Sequence, residues 1–322
     1  MFRFTALPLE TRRASFGAKD LPACANYALK RIARDHGNDF EPATVECVLK
    51  YFYVDDLLRS LCTEDASIKT ARELISLLKR GGFRLTKFLS NSKTVLDALP
   101  QSEVSPSVFL DLDVERLERA LGVFWDTVND ILTFKANLKE NPPTKRGVLS
   151  TSASLHDPLG FIIPFLITAR IILQELWRRD VGWDDVLEED LRVLWNRWLD
   201  GARRVTEIKL NRRYVMSDES FSAVQLHVFC DASEAAYGCV AYLRVSLKSG
   251  SHVCSFVMSK ARLAPIKTIT LPRLELNAAR AGARMSHLVV HSVDLPIEDV
   301  HYWSDSTLTL QYINNKKHRI QV

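Results

Sequence analysis

The stretch LHVFCDASEAAYGCVAYL, residues 226–243, decides the fold of the last part of this 322-residue chain. An apolar run leads up to Asp231, and Gly238 opens a second apolar run at 239–243 after a short polar interval. Apolar runs rich in β-branched and aromatic residues, separated by turn residues, predict two neighbouring strands. Asp231 is thereby placed at the end of a predicted strand.

Two further acids follow in elements that can bring them to the same point. TITLPRLELNAARAGARMSHL, residues 268–288, places Glu275 on a helix, and VHYWSDSTLTLQYI, residues 300–313, places Asp305 at a strand end with Ser306 as cap of the next helix. Converging carboxylates repel one another, so this layout favours a two-metal site for phosphodiester cleavage. Taken singly, each acid is explained as well by a turn, a helix surface or a cap. The small residues beside Glu275 that permit close packing are Ala278, Ala279 and Ala283.

A second acidic pair, Asp55 and Asp56, interrupts the apolar and aromatic run YFYVDDLL, residues 51–58. The pattern predicts a hairpin tip, because Asp tolerates turn geometry and burying two adjacent carboxylates is costly. A plain turn with two solvated acids would explain an isolated pair. Here the apolar flanks indicate a tip on a buried platform, and Mg²⁺, which takes hard oxygen ligands, is the candidate ion for it.

Hydrophobic periodicity and turn residues predict the remaining elements. Before residue 141 they are helices at 22–37 and 65–82, strands at 45–54 and 57–62, and strand-like segments at 83–90 and 122–134, the last with a turn at Asn129-Asp130. NPPTKRG, residues 141–147, is the predicted linker. Helical pattern dominates 158–204, with Trp177, Trp195 and Trp198 as core anchors, and a further helix covers 271–290.

In this order, the motifs resemble the Pol polyprotein of BEL/Pao long-terminal-repeat retrotransposons. YVDD at 53–56 resembles the catalytic metal motif of reverse transcriptases, and FGAKDLPACANYAL at 16–29 resembles the preceding segment that contacts nucleotide and template. LLKRGGFRLTKFLSN at 77–91 and the long segment 144–177, which contains HDPLG, are more particular to this family. Asp231, Glu275 and Asp305 match the first three carboxylates of the ribonuclease H domain that follows the polymerase in these elements.

The resemblance implies an α/β (α+β) chain in three parts. These are a partial reverse transcriptase palm and thumb at 1–140, a helical connection (the Pao-type region) at 141–220, and a ribonuclease H-like mixed sheet with helices at 221–322, truncated at its C-terminus. It implies RNA-directed DNA polymerase and ribonuclease H chemistry with Mg²⁺, or Mn²⁺ as a substitute. The residues it assigns to catalysis and metal binding are Asp55, Asp56, Asp231, Glu275 and Asp305.

The chain departs from the family pattern at three places. Family members carry another catalytic aspartate upstream of the FGA segment, whereas Glu10 is the only acid before Asp20 and does not match it. The fourth ribonuclease H carboxylate is expected beyond Val322, so both sites are expected to lack a carboxylate and polymerisation to be incomplete. His156 stands where the family usually has an aromatic residue, and Asp157 with Pro158 is predicted to cap and begin a helix.

The alternative to a catalytic Pol fragment is a non-catalytic nucleic-acid-binding remnant or a domesticated host protein. A gene-model fragment without a stable product is a third interpretation. Family members are often named for the peptidase of the parent polyprotein, but the chain contains no Asp-Thr-Gly or Asp-Ser-Gly triplet. His287 and His291 stand four apart on a predicted helix, and without a third ligand they are interpreted as surface residues.

A net charge of +4 is compatible with a nucleic-acid partner. The expected partners are an RNA–DNA hybrid, a primer–template and, in a polyprotein, the upstream palm and fingers and the downstream integrase. The apolar stretch 161–173 is too short to span a bilayer, and six cysteines without CxxC spacing predict free thiols. We therefore expect an intracellular protein that is not secreted, and the resemblance implies cytoplasmic virus-like particles, with the nucleus as second compartment. The basic clusters are Arg203, Arg204, Lys209, Arg212 and Arg213, and Lys316, Lys317, His318 and Arg319.

Overall fold

The computed structural model describes residues 2–4, 21–53, 56–105, 117–120, 123–134, 138, 141–215 and 220–315. The chain divides into two compact units, Met1–Leu132 and Thr133–Val322. The sequence placed its first boundary slightly later, between residues 140 and 141. Each unit is a mixture of helices and strands, in agreement with the predicted α/β class.

In the described residues of the first unit there are four α-helices and several short strands. The helices are α1 Leu21–His36, α2 Pro42–Lys50, α3 Glu64–Arg80 and α4 Lys93–Asp97. The strands are β1 Phe2–Phe4, β2 Phe52–Tyr53, β3 Asp56–Leu57, β4 Arg59–Leu61, β5 Leu117–Ala120 and β6 Val123–Asp126, and β7 Ile131–Thr133 follows at the division between the units. The antiparallel pairs are β1 with β4, β2 with β3, and β5 with β6.

The core of the first unit lies among α1, α2 and α3. Leu29, Val48 and Leu74, one from each helix, are fully buried. The predicted helices at 22–37 and 65–82 are confirmed as α1 and α3, and α3 ends at Gly81 as the sequence indicates. A side chain at Gly81 would collide with Ile32 of α1, so this glycine allows the two helices to approach closely.

The strand predicted at 45–54 is wrong over most of its length, because residues up to Lys50 belong to helix α2. Pro42 occupies the first turn of α2, where a missing N–H costs nothing. Thr44, Cys47 and Val48 are buried at helical spacing, so packing overrides the strand preference of the two valines. Only Phe52–Tyr53 remains a strand.

The two later strand predictions of this unit have different outcomes. The strand-like segment at 122–134 with its turn at Asn129-Asp130 is confirmed over its described residues: β6 and β7 are neighbours in one sheet and flank a turn in which Asp130 adopts a positive φ of 55°. The strand predicted at 83–90 is wrong, since the segment contributes only isolated bridges such as Phe88 with Val104. Lys87 interrupts its extended backbone with a φ of 59°.

The second unit begins with helices and ends with a larger sheet. The helices are α5 Lys145–Ala153, α6 Ile163–Arg178, α7 Glu189–Arg204, α8 Leu271–Ser292 and α9 Thr307–Asn314. The strands are β8 Lys209–Asn211, β9 Phe221–Ala232, β10 Ala236–Leu247, β11 His252–Leu263 and β12 Asp299–Trp303. The predicted linker at 141–147 runs directly into α5, whose first turn is capped by the Thr144 hydroxyl accepting from the Gly147 N–H.

Tryptophan packing joins α6 to α7. Trp195 and Trp198 are buried and stack at 4.8 Å between ring centroids, and Trp198 also stacks on Phe165 at 4.9 Å. Both are core anchors as predicted. Trp177 is not, because its side chain is 53% exposed and lies over the Lys145 ammonium, 3.4 Å from the ring centroid. None of the helices in the described part of the chain has the length and apolarity needed to cross a membrane.

The HDPLG motif forms a turn that contacts β11. Both Asp157 carboxylate oxygens accept backbone N–H groups, those of Gly160, Phe161 and Ile162, at 2.8–2.9 Å. The prediction of Asp157 as a helix N-cap is therefore wrong: α6 begins only after Ile162, and the carboxylate caps the preceding turn. Gly160 has a φ of +80°, and its carbonyl oxygen accepts from the Ser259 hydroxyl of β11.

The sheet of the second unit has four strands in the order β11-β10-β9-β12. Strands β9 to β11 form an antiparallel meander, whereas β12 runs parallel to β9, so the sheet is mixed as predicted. Residues on β9 alternate: Val224, Leu226 and Val228 are fully buried, while the residues between them face the other side. Helix α8 covers the buried face.

Candidate carboxylate site

Asp231 and Asp305 lie at the same edge of the mixed sheet. The parallel register pairs Trp303 of β12 with Phe229 of β9, and each aspartate stands two residues beyond that pair. Because parallel strands end at the same edge, the two carboxylates follow adjacent strand ends. Both residues are exposed. This arrangement agrees with the prediction that each acid stands at a strand end.

Helix α8 carries Glu275 toward that edge. The Ser286 hydroxyl lies 2.5 Å from the Tyr302 hydroxyl of β12, and Gly282 packs against Cys230, the residue before Asp231. The helix therefore advances toward the carboxyl ends of β9 and β12 as it runs to its N-terminus. Glu275 stands seven residues before Gly282, about 10 Å further along this direction. The half-buried Glu275 therefore stands further along α8 than Gly282, in the direction of that edge.

Close approach of α8 depends on two small residues. Ala278 is fully buried, and a side chain at Gly282 would meet the Cys230 sulfur at 2.4 Å. Ala283, predicted to permit close packing, is exposed instead. The residue that sequence reasoning missed is Gly282, which shares the helix face of Glu275 and Ala278 through a spacing of seven and four residues.

Local hydrogen bonds orient the two aspartates differently. The Asp231 Oδ1 atom accepts the N–H of Ala232 at 2.7 Å. Asp305 lies in the bend between β12 and α9, next to Ser306, whose hydroxyl accepts the Thr309 N–H at 3.2 Å. Ser306 therefore caps α9 as predicted. The Ser306 cap fixes the backbone just after Asp305 without using the Asp305 side chain.

The donor chemistry at this edge suits a hard divalent cation. Carboxylate oxygens are the ligands that Mg²⁺ and Mn²⁺ prefer. The thiol nearest to the edge is a poor ligand, because burial raises the pKa of Cys230 to about 12 and keeps it protonated at neutral pH. Within the ranges that the structure describes, no three His, Cys, Asp or Glu side chains are grouped closely enough to hold a metal ion.

Cysteine reactivity is expected to follow this burial. Cys24, Cys62 and Cys254 are exposed, whereas Cys47, Cys230 and Cys239 are buried. Alkylation of the native chain with iodoacetamide at pH 8 should modify the exposed thiols alone, and all six should react after denaturation. Peptide mass spectrometry measures this. Modification of Cys230 at the rate of Cys254 would contradict the packing of α8 on β9.

The other predicted carboxylate pair is described in part. Asp55 lies outside the described residues. Asp56 is half-buried in β3 and pairs with Tyr53, and Phe52 pairs with Leu57, so the two strands have the register of a hairpin. The predicted nucleotide-contacting segment at 16–29 is described only from Leu21 onward.

An aromatic row on the face of the sheet opposite α8 was not predicted. Phe229 and Trp303 stack at 5.8 Å, and Trp303 stacks on His227 at 5.9 Å while its indole N–H donates to the Nδ1 atom of His227. Burial lowers the pKa of His227, with the nearby His301 adding to the effect. Since strand residues alternate, Phe229 shares its face with Asp231, and the row leads to the carboxylate edge. The sequence signal that could have predicted this row is the alternation of aromatic residues in 227–229 and 301–303.

The first basic cluster is partly neutralised by local carboxylates. Arg203 pairs with Asp200 at 2.6 Å and Arg204 pairs with Glu207 at 3.4 Å. Lys209 is exposed on β8. The second cluster, residues 316–319, lies outside the described residues.

His287 and His291 of α8 contact each other. Their rings stack, and the His291 Nδ1 atom lies 2.7 Å from the His287 carbonyl oxygen.

Comparison with known proteins places the second unit in a family. The model of the Pao retrotransposon-like RNaseH-like domain matches residues 144–306, about half of the chain. No curated protein matches.

Among solved structures, a foamy viral protease-reverse transcriptase in complex with dsDNA aligns with a TM-score of 0.50 and 13% identity, covering 99% of this chain and 63% of that one. The native crystal structure of Prototype Foamy Virus protease-reverse transcriptase covers 96% of this chain and 39% of that chain at 13% identity, with a TM-score of 0.22. At such identity the first likeness concerns the fold alone, and this chain spans less than two thirds of that protein. Together with the family match, it supports one conclusion: the chain belongs to the Pao retrotransposon family and contains its RNaseH-like domain.

Proposed function

We propose that the second unit is a metal-dependent nuclease that cleaves the RNA strand of an RNA–DNA hybrid. The observation that carries the proposal is the parallel register of β12 on β9, which sets Asp231 and Asp305 at adjacent strand ends. Glu275 approaches from α8. Bound Mg²⁺ or Mn²⁺ would supply an activated water and stabilise the leaving oxygen.

Asp231 is the central ligand in this proposal. Strand β9 is an inner strand of the sheet, with β10 on one side and β12 on the other. A carboxylate at its end can face two cations, whereas Glu275 and Asp305 each support one side. Because the Ala232 N–H holds the Oδ1 atom, the Asp231 side chain is oriented before a cation arrives.

The three carboxylates make substrate binding depend on metal in this proposal. Their negative charge repels the phosphodiester unless cations lie between them and the substrate. Glu275 lies on a helix and Asp231 on a strand, and such elements suit a site requiring fixed ligand geometry.

The first unit is proposed to derive from a reverse transcriptase palm and thumb. Asp55 and Asp56 are its proposed Mg²⁺ ligands, and a primer–template is its proposed partner. Asp56→Asn is therefore expected to weaken Mg²⁺-dependent binding of a primer–template. If the Asp56→Asn variant binds the primer–template as tightly as wild type both with and without Mg²⁺, the result would count against this role.

Cleavage of a labelled RNA strand tests the nuclease directly. We expect slow internal cleavage of RNA in a hybrid, faster with Mn²⁺ than with Mg²⁺, because Mn²⁺ binds a given oxygen site more tightly. The same RNA alone and a DNA duplex of the same sequence are the matched substrates, and neither should be cut. Loss of the hybrid preference would contradict the proposal.

A second candidate is a nucleic-acid-binding protein without turnover. It is favoured by one observation, that no group of three potential ligands stands at metal-binding distance in the part of the chain that the structure describes. Salt-sensitive binding of hybrid with no cleavage under Mn²⁺ would support this candidate over the nuclease.

A further inference from the structure

A row of basic side chains follows the solvent side of α8. Its members, here called the α8 basic stripe, are Arg273, Arg280, Arg284, His287 and His291. All five are exposed. Successive spacings of seven, four, three and four residues return to one side of a helix with 3.6 residues per turn, and the stripe is about 27 Å long.

The arginines of the α8 basic stripe differ from arginines on other helices of the chain in their partners. In the described ranges, no ion pair involves Arg273, Arg280 or Arg284. Arginines on α6 and α7 differ: Arg178 pairs with Glu175 at 2.6 Å, and Arg203 pairs with Asp200 at 2.6 Å. The one acid within α8, Glu275, lies on the opposite helix face. The positive charge of the stripe is therefore not compensated locally.

Two anionic surfaces fit such a stripe, a phosphodiester backbone and an anionic membrane. An amphipathic helix binds a membrane by inserting its apolar face among the lipids. The apolar face of α8 is already used, because Ala278, Met285 and Val289 are buried against the sheet. The exposed apolar residues of the helix, Leu271, Leu288 and Val290, point in three different directions and form no second apolar face. Regularly spaced arginines without an available apolar face favour a phosphodiester backbone.

We propose that the α8 basic stripe binds the phosphate backbone of a nucleic-acid duplex next to the carboxylate edge. This inference rests on the proposed function, since Arg273 stands two residues before Glu275 and the stripe leads away from that end of the helix. The contacts carry no sequence information, so they hold any duplex that the carboxylates engage. The stripe is a positioning surface and touches no reacting atom.

The test is hybrid binding by the full chain as a function of salt. Fluorescence anisotropy would follow a labelled RNA–DNA hybrid of about 20 base pairs, longer than the stripe. The variant combines Arg273→Gln, Arg280→Gln and Arg284→Gln. The matched control combines Arg31→Gln, Arg178→Gln and Arg192→Gln, which removes the same charge from three exposed arginines that have carboxylate partners on their own helices.

Loss of three phosphate contacts should reduce the magnitude of the slope of log K against log salt by about 2 to 3, whereas the control should change it by less than about 1. Cleavage at saturating hybrid should stay within about twofold of wild type for both variants.

Equal slopes for the stripe variant and wild type would overturn this proposal while leaving the nuclease intact. Absence of cleavage in a wild type that still binds would instead refute the nuclease. Reduced binding to phosphatidylserine vesicles with unchanged hybrid binding would assign the stripe to a membrane and overturn the proposal.

Discussion

Replacing Asp231 with asparagine is expected to abolish hybrid cleavage, with a loss of at least about a hundredfold. Even residues that only orient metal ligands cost about 10–100-fold when changed, and Asp231 is proposed as a ligand itself. Asparagine keeps the size of the side chain but removes the charge that holds a cation. The Ala232 N–H can still donate to the Oδ1 atom, so the strand end should keep its conformation.

Glu234→Gln provides the matched control for this substitution. Glu234 is exposed in the turn between β9 and β10, three residues after Asp231, and it has no assigned role. Its variant should cleave within about twofold of wild type, as expected of a surface change outside the site. Equal loss in both variants would show that charge near the turn matters and that Asp231 has no special role.

Replacing Gly282 with valine should destabilise the second unit by about 3 kcal/mol. The Cβ atom alone would lie 2.4 Å from the Cys230 sulfur and 3.1 Å from the Val228 Cγ1 atom, so α8 would have to move off the sheet. On an exposed helix position the same change would be close to neutral or stabilising, because glycine is a poor helix former. Urea denaturation followed by circular dichroism measures the difference.

Two variants separate this collision from a general effect on α8. Ala283→Val adds bulk at the next, exposed position and should change the free energy of unfolding by no more than about 0.5 kcal/mol. Gly282→Ala adds only the Cβ atom that meets the Cys230 sulfur, and it should lower the free energy of unfolding. Cys230→Ala removes that sulfur, so the double variant should recover part of the stability that Gly282→Ala loses. Additive losses in that double variant would place the strain elsewhere.

Long periodic segments were predictable from the sequence. Helices α1, α3 and α8 carry continuous apolar stripes with terminal proline or glycine, and their bounds agree closely with 22–37, 65–82 and 271–290. Short segments were not, because a run such as 45–50 fits a strand or a helix equally well by composition. In α2 the choice is made by tertiary packing of Cys47 and Val48, which no local pattern contains.

The strand ends and the helix that carry the candidate site were predictable from the sequence. The long-range contacts that hold the surrounding elements in place were not. Strand ends at Asp231 and Asp305 follow from apolar runs that stop at an acid. Long-range contacts were not visible: the Asp157 turn is held against Ser259, and the exposed Trp177 lies over the buried Lys145 ammonium. Such partners lie far apart in sequence, so pattern alone does not pair them.

Calorimetric titration of Mn²⁺ into the full chain and its single-site variants tests the central claim most directly. If Asp231, Glu275 and Asp305 share one site, then Asp231→Asn, Glu275→Gln and Asp305→Asn should each weaken the same binding event, Asp231→Asn most strongly, while Glu234→Gln leaves it unchanged. Wild-type Mn²⁺ binding that persists unchanged in all three variants would contradict a shared carboxylate site.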